Sequence, residues 1–273
     1  MGDSRPIGIF DSGVGGLTVL RAIRERLPHE PTIYLADLYH FPYGPRYQDE
    51  VRGFAFDIIR YLETRDVKLV VIACNTATAA ALDQAREIFE VPIVGVIRPG
   101  AQAAVDATHN NRIGVISTEG AMRSQAYLHA IKDLDPMVGV YQKACPELVE
   151  IVEAGEAESP RAEEVLRRDL ADIVRVGADT LVLGCTHYPL LKPAIQRVYP
   201  EAFTLVDSAT TTAAKVERQL DHSRLRADEG HPYHEVLVTD VPRHFHDIAS
   251  NLFGEAIDAE EVRIWEEQKA QAT

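Results

Sequence analysis

Short apolar runs alternate with longer amphipathic stretches along most of the chain. The runs are rich in Val, Ile and Leu, a composition that predicts strands buried on both faces. Predicted strands span residues 6–10, 32–37, 69–73, 93–97, 112–117, 180–184, 202–207 and 235–240, and predicted helices span residues 17–27, 47–64, 76–89, 121–133 and 161–176. Strands that alternate with helices in this way predict an α/β protein with parallel sheets.

The two halves of the chain show weak internal sequence similarity. Residues 7–13 (IGIFDSG) resemble residues 113–120 (IGVISTEG), and in both a strand runs into a pair of polar residues. At a similar distance after each of these segments, a later strand ends in a cysteine, Cys74 or Cys185. This order predicts two similar domains related by a pseudo-twofold axis, with a boundary near the Pro-Gly break at residues 98–100.

Cys74 and Cys185 follow apolar strands and precede small polar residues, in "LVVIACNTATAA" and "TLVLGCTHYPLL". Ligands of open α/β sheets bind beyond the carboxyl ends of the strands, so we expect both thiols on opposite walls of one cleft between the halves. A single buried cysteine is often only a small core residue. Two in corresponding places favour chemistry, whereas Cys145 has no counterpart and is interpreted as structural.

Neighbouring residues bear on how each thiol is protonated. Cys74 precedes "NTATAAALDQA", which predicts a helix capped by Asn75 or Thr76, and a helix N-terminus favours a thiolate. Cys185 has His187 two residues later, and a histidine titrates near neutral pH. We therefore regard His187 as a candidate acid or base, although it is also compatible with a plain strand-end residue.

Asp11 opens the stretch "DSGVGG", for which three interpretations remain open. In the first the glycines surround a phosphate, and in the second they admit a small anion while Asp11 assists proton transfer at Cys74. The third interpretation is an ordinary turn that caps a helix. The stretch is neither a GxGxxG nor a Walker-type motif, so it decides nothing alone.

The loop "FPYGPR" (residues 41–46) contains two prolines and two aromatic residues. It is compatible with a surface turn. Alternatively it covers a small ligand, with Tyr43 and the backbone of Gly44 as hydrogen-bond donors.

Composition and charge exclude several classes. With 273 residues the chain is long enough for two domains, and its net charge of −14 disfavours nucleic acid as a partner. No secretory signal and no apolar run long enough to span a bilayer is visible. Three cysteines without a secretion signal are typical of free thiols in the cytoplasm. Only the last dozen residues have a composition that suggests disorder.

Two other cysteine chemistries fit the spacing poorly. The chain has no CxxC pair, so a closed zinc site is not expected. A cysteine hydrolase would use one thiol as its nucleophile and leave the second without a purpose.

Taken together, the motifs resemble the glutamate racemases of the aspartate/glutamate racemase superfamily. The matching segments, in order, are "GIFDSGVGGLTVL", "YGPR", "VIACNTATA", "LVLGCTHYPLL" and "LVDSA", between about residues 6 and 210. The resemblance implies interconversion of L- and D-glutamate without cofactor or metal, which supplies D-glutamate for peptidoglycan. It also implies that one thiolate removes the α-proton while the opposite thiol protonates the other face.

The resemblance further implies the roles of individual residues. The two thiols would be Cys74 and Cys185, supported by Asp11, His187 and Glu153. Substrate contacts would come from the following residues: Asp11, Ser12, Pro42, Tyr43, Gly44, Asn75, Thr76, Thr118, Thr186 and His187. The implied domains are residues 1–98 with 208–273, and residues 99–207. The partner would be a small molecule, with neither nucleic acid nor membrane, and a homodimer is compatible with this.

The chain departs from the family pattern at two places. Ala121 stands where the family usually has a threonine, so one substrate hydrogen bond is expected to be lost or supplied by water. Glu147 and Glu150 compete with Glu153 for the position of the supporting glutamate. Rival functions are a racemase of another substrate, such as aspartate or a hydantoin, and a non-catalytic protein that binds an acidic amino acid.

Overall fold

The computed structural model of the protein describes residues 2–240 and 245–265. Ten strands form two separate sheets within this part of the chain. In chain order the strands are β1 (Ile7–Asp11), β2 (Thr32–Ala36), β3 (Leu69–Ile72), β4 (Ile93–Gly95), β5 (Arg112–Ser117), β6 (Gly139–Ala144), β7 (Thr180–Gly184), β8 (Thr204–Asp207), β9 (His234–Val238) and β10 (Glu260–Glu261).

Four strands of the first sheet have the same order as the four strands of the second. The first sheet has the order β10-β9-β2-β1-β3-β4, and the second has β6-β5-β7-β8. Neighbouring strands pair in parallel throughout. Strand β1 therefore corresponds to β5, and β3 corresponds to β7, as a duplication requires. The prediction of two similar parallel-sheet α/β domains is confirmed.

Helices connect the strands and cover both sheets. They are α1 (Leu17–Arg26), α2 (Gln48–Thr64), α3 (Asn75–Ile88), α4 (Ile97–Ala107), α5 (Glu119–Ser124), α6 (Ala126–Leu134), α7 (Pro146–Glu153), α8 (Pro160–Arg175), α9 (Lys192–Val198), α10 (Ser208–Ser223) and α11 (Phe245–Phe253). A short 3-10 helix at Tyr188–Leu191 precedes α9. Among the described residues, no helix has the length and apolar character needed to cross a membrane.

Alternate residues of each strand enter different hydrophobic clusters, which explains the continuous apolar runs. In β1, Ile7 and Ile9 pack into a cluster with α1 and α10, while Phe10 packs into a cluster with α2 and α3. In β5, Val115 and Ile116 are divided between two clusters in the same way. Each such fully buried side chain contributes about 1.5–3 kcal/mol to folding, and the sheets are thereby held rigid below the carboxyl ends of their strands.

Strands β6 and β10 were not predicted, and two predicted elements differ from the structure. Strand β6 was missed because it is an edge strand whose residues are all half-buried, so its sequence, GVYQKA, lacks an apolar run. The strand predicted at 93–97 ends at Gly95, and the Pro-Gly pair lies in the first turn of α4, where proline is tolerated. The helix predicted at 121–133 is two helices, broken at Gln125, whose φ is +56°.

The chain after residue 207 returns to the first sheet. Helix α10 packs against α1 and α4, strand β9 pairs with β2, and β10 pairs with β9. The domain boundaries at 98/99 and 207/208 stay a prediction. Residues 241–244 and 266–273 of the first predicted domain, and most of the terminal stretch predicted to be disordered, lie outside the described residues.

Candidate active site

Both predicted thiols line one cavity of about 260 Å³ at the carboxyl ends of the strands. The cavity walls come from both domains. Eleven of the predicted site residues line it: Ser12, Pro42, Tyr43, Gly44, Cys74, Asn75, Thr76, Thr118, Cys185, Thr186 and His187. Asp11 and Glu153 are not among the lining residues, and each lies directly behind one of them. The arrangement allows a small molecule to contact both sulfur atoms.

Cys74 sits at the N-terminus of α3 and caps the helix itself. Its Sγ accepts a hydrogen bond from the backbone N–H of Ala77 at 3.4 Å, which corrects the expectation that Asn75 or Thr76 is the cap. The hydroxyl of Ser12 lies 3.7 Å from the same sulfur. Burial raises the pKa of Cys74, and the nearby charge of Asp11 raises it further, against the smaller lowering effects of Ala77 and Ser12. Cys74 at rest is therefore a protonated thiol.

Cys185 is the first member of a chain of three polar groups, of which Cys185 and His187 are buried and Glu153 is partly buried. Its Sγ lies 3.5 Å from Nδ1 of His187, and Nε2 of the same ring lies 2.6 Å from Oε1 of Glu153. Burial lowers the pKa of His187, but its contacts with Cys185 and Glu153 outweigh burial and raise the pKa well above the usual value. Two acceptors thus stabilise an imidazolium at His187, so the two thiols have different electrostatic surroundings.

Asp11 is fully buried and binds its own loop. Its Oδ2 accepts hydrogen bonds from the backbone N–H groups of Gly13 (3.2 Å) and Gly16 (3.0 Å). The hydroxyl of Thr186, from the other domain, donates to the same carboxylate at 3.3–3.4 Å. The pKa of Asp11 is raised overall, because burial outweighs the lowering effects of the His187 charge and the two N–H groups. Because these N–H groups are committed to Asp11, they do not form a phosphate-binding loop.

The loop at residues 41–45 lines the cavity, and the side chain of its tyrosine is hydrogen-bonded to Asp37. Tyr43 is buried, and its hydroxyl donates to Oδ2 of Asp37 at 2.6 Å. This hydroxyl hydrogen is therefore unavailable to a ligand, which corrects the expectation that Tyr43 is a donor. Asp37 also accepts hydrogen bonds from His40 and Thr239, each at 2.9 Å. Sequence reasoning missed Asp37, although its place just after β2, at the carboxyl edge, was a usable signal.

Hydrogen bonds between the two domains close the cavity. The hydroxyls of Thr76 and Thr118 lie 2.8 Å apart. The hydroxyl of Tyr127 donates to Oδ1 of Asn75, also at 2.8 Å. Nδ2 of Asn75 is buried and has no hydrogen-bond partner among the described residues. Both N–H donors of the Asn75 amide are thus unsatisfied in a residue of the cavity wall, and an oxygen atom of a ligand would satisfy one of them.

The competing glutamates occupy different places. Glu147 pairs with Arg161 and Arg168 at the surface. Glu150 is exposed and lines the cavity, and only Glu153 of the three contacts His187. In the described part of the chain, no cluster of three or more His, Cys, Asp or Glu is arranged to hold a metal ion.

Two further residues discussed above, Ala121 and Cys145, do not line the cavity. Ala121 is buried and its N–H donates to the hydroxyl of Thr118, so the missing threonine leaves α5 capped. Cys145 is buried and its thiol donates weakly to the carbonyl of Lys143, consistent with a structural residue.

The contact between Glu153 and His187 predicts a shift that can be measured. In the Glu153→Gln variant the pKa of His187 should fall, because an amide stabilises the imidazolium less than a carboxylate does. Titration of the imidazole signals by NMR in histidine-labelled protein checks this. Glu147→Gln is the matched control and should leave His187 unchanged. An unchanged midpoint in Glu153→Gln would show that this pair does not set the charge of His187.

Comparison of the sequence with known families agrees with this geometry. The sequence profile of the Asp/Glu/Hydantoin racemase family matches residues 16–216. A glutamate racemase from Lactiplantibacillus plantarum is 44% identical over 257 residues, which cover 93% of this chain and 94% of the relative.

Solved structures give the same result. A glutamate racemase isoform from Bacillus anthracis has a TM-score of 0.91 at 38% identity and covers 94% of this chain and 97% of its own. The glutamate racemase from Francisella tularensis, solved in complex with D-glutamate, has a TM-score of 0.90 at 31% identity, with coverage of 97% and 99%. Sequence, fold and the paired thiols agree, and the chain belongs to the Asp/Glu/Hydantoin racemase family.

Proposed function

We propose that this protein racemises glutamate by a two-base mechanism in which Cys74 and Cys185 act on opposite faces of the α-carbon. The observation that carries this proposal is one cavity lined by two buried thiols, each following a strand of a different sheet. Relatives similar to this chain over almost their whole length are named glutamate racemases, which supports glutamate as the substrate.

Inversion of a stereocentre by proton transfer requires a base on each side of the carbon. A single base that returned its own proton would regenerate the same enantiomer. One thiolate removes the α-proton while the opposite thiol gives its proton to the other face, and the reverse reaction exchanges these roles. Each residue therefore spends part of the cycle as a thiolate and part as a thiol.

The unequal surroundings of the thiols support this division of labour. His187, paired with Glu153, lies beside the sulfur of Cys185, whereas burial and the charge of Asp11 raise the pKa of Cys74. Asp11 acts through the loop that it holds and through Thr186, because its carboxylate lies behind the cavity wall. The reaction starts from Cys185 as base in one direction and from Cys74 as base in the other.

The α-carbanion is the intermediate of highest free energy in the reaction, and hydrogen-bond donors in the cavity stabilise it. Exclusion of water strengthens every hydrogen bond made to the substrate. The N-terminus of α3 and the side chains of Asn75, Thr76, Thr118 and Thr186 hold the carboxylates of glutamate. Ser12 and the loop at residues 42–44 complete the enclosure. This chemistry uses no cofactor and no metal.

The proposed product, D-glutamate, indicates the role of the reaction in the cell. D-glutamate is a building block of peptidoglycan, so the enzyme supplies cell-wall synthesis from the cytoplasm, where its three free thiols stay reduced. The domains in this proposal are residues 1–98 with 208–273 and residues 99–207.

The substrate proposal is tested by supplying each enantiomer of glutamate and of aspartate in heavy water, with a chelator and without pyridoxal phosphate. Circular dichroism should show racemisation of both glutamate enantiomers, with deuterium at the α-position of the product. Aspartate should react far more slowly. Faster turnover of aspartate than of glutamate would show that aspartate is the substrate. Binding of glutamate in a calorimeter without any racemisation would favour a non-catalytic binding protein.

The mechanism predicts that both thiols are required. Cys74→Ser and Cys185→Ser should each lower kcat in both directions by on the order of 10²–10⁴-fold, the usual contribution of a positioned acid or base. Cys145→Ser is the control, since this buried thiol lies away from the cavity, and it should racemise like the unmodified protein. Near-normal turnover in both directions by either active-site variant would contradict the two-base mechanism.

A further inference from the structure

The orientation of the Asn75 amide is set by a residue of the other domain. An asparagine side chain presents an acceptor oxygen on one side and a donor nitrogen on the other, and the two have nearly the same shape. At Asn75, Oδ1 accepts a hydrogen bond from the hydroxyl of Tyr127, while Nδ2 remains without a partner among the described residues. Asn75 itself lines the cavity that holds both thiols.

The surroundings of Tyr127 are shaped to hold its ring in this place. Tyr127 lies in the first turn of α6, just after the helix break at Gln125, and only 1% of its surface is exposed. A Cβ atom at Gly184 would lie 3.0 Å from the ring, and one at Gly100 would lie 3.3 Å from the hydroxyl oxygen. These two glycines let the ring approach strand β7 and helix α4 closely.

The hydroxyl of Tyr127 acts as the donor in this pair. Burial raises the pKa of Tyr127, and the nearby charges of Cys185 and Asp207 raise it further. The phenol therefore keeps its proton, which is directed at Oδ1 of Asn75. This fixes the amide with Oδ1 bound to Tyr127, while Nδ2 is buried and has no partner among the described residues.

We propose that Tyr127 is a positioning residue that holds the Asn75 amide so that Nδ2–H faces a carboxylate oxygen of the substrate. The inference rests on the proposed function, since it assigns the use of one donor in that site. Without the phenol hydroxyl, the amide is free to rotate and to present its oxygen to the anionic substrate. Asn75 begins α3 beside the first sheet and Tyr127 lies in α6 beside the second, so this hydrogen bond also joins the two walls of the cavity.

The experiment is a double-mutant cycle with Tyr127→Phe and Asn75→Ala. Tyr127→Phe should raise KM for both enantiomers roughly tenfold, the scale of one hydrogen bond to a charged group, while kcat changes much less. In the Asn75→Ala background the same substitution should have no further effect on KM. Tyr199→Phe removes a surface hydroxyl that donates to the carbonyl of Arg167, and it serves as the matched control with unchanged KM.

Calorimetric Kd values for glutamate separate this inference from the proposed function. If the unmodified protein binds glutamate without racemising it, the proposed function fails, yet the Asn75-dependent loss of affinity in Tyr127→Phe still tests the positioning role. Additive effects of the two substitutions on Kd, or a fall in kcat with KM unchanged, would overturn the role.

A second variant covers the case in which Tyr127→Phe does not fold. Asn75→Asp keeps an acceptor for the Tyr127 hydroxyl but turns a carboxylate oxygen toward the cavity. It should bind glutamate at least as weakly as the proposal expects for Tyr127→Phe. Binding as tight as that of the unmodified protein would show that Nδ2 makes no contact with the substrate.

Discussion

Two sulfur atoms share one cavity because parallel strands end at the same edge of a sheet. Strands β3 and β7 occupy corresponding positions in the two sheets, so Cys74, two residues beyond β3, and Cys185, directly after β7, arrive at corresponding places. The two edges face each other, and Cys74 and Cys185 become parts of opposite domains that line a common space. The helices, the covering loop and the hydrogen bonds between domains all serve to keep that space small and closed.

A symmetric scaffold here supports an asymmetric pair of groups. Cys74 caps helix α3, and its sulfur contacts the hydroxyl of Ser12 and the backbone N–H of Ala77. Cys185 instead contacts His187, which in turn contacts Glu153. Duplication accounts for the positions of the thiols, and the divergent neighbours give the two sulfur atoms different hydrogen-bond partners. A reaction that needs one base and one acid at each instant benefits from such a difference.

Much of this arrangement could be predicted because it depends on local sequence. The parallel α/β class, most strands and the pairing of the thiols follow from apolar runs that end in polar residues. The cap at Cys74 was missed because cysteine is not a usual capping residue. The role of Asp37 below Tyr43, and that of Tyr127 beside Asn75, depend on contacts between distant segments. Such contacts leave no periodic pattern in the chain, and only the three-dimensional structure reveals them.

A crystal structure with bound glutamate tests the central claim most directly. The account predicts that the α-carbon lies between the two sulfur atoms, with Sγ of Cys74 and Sγ of Cys185 on opposite faces and each within about 3.5–4 Å of it. A complex in which both sulfur atoms lie on one face, or in which one of them is turned away from the α-carbon, would contradict it.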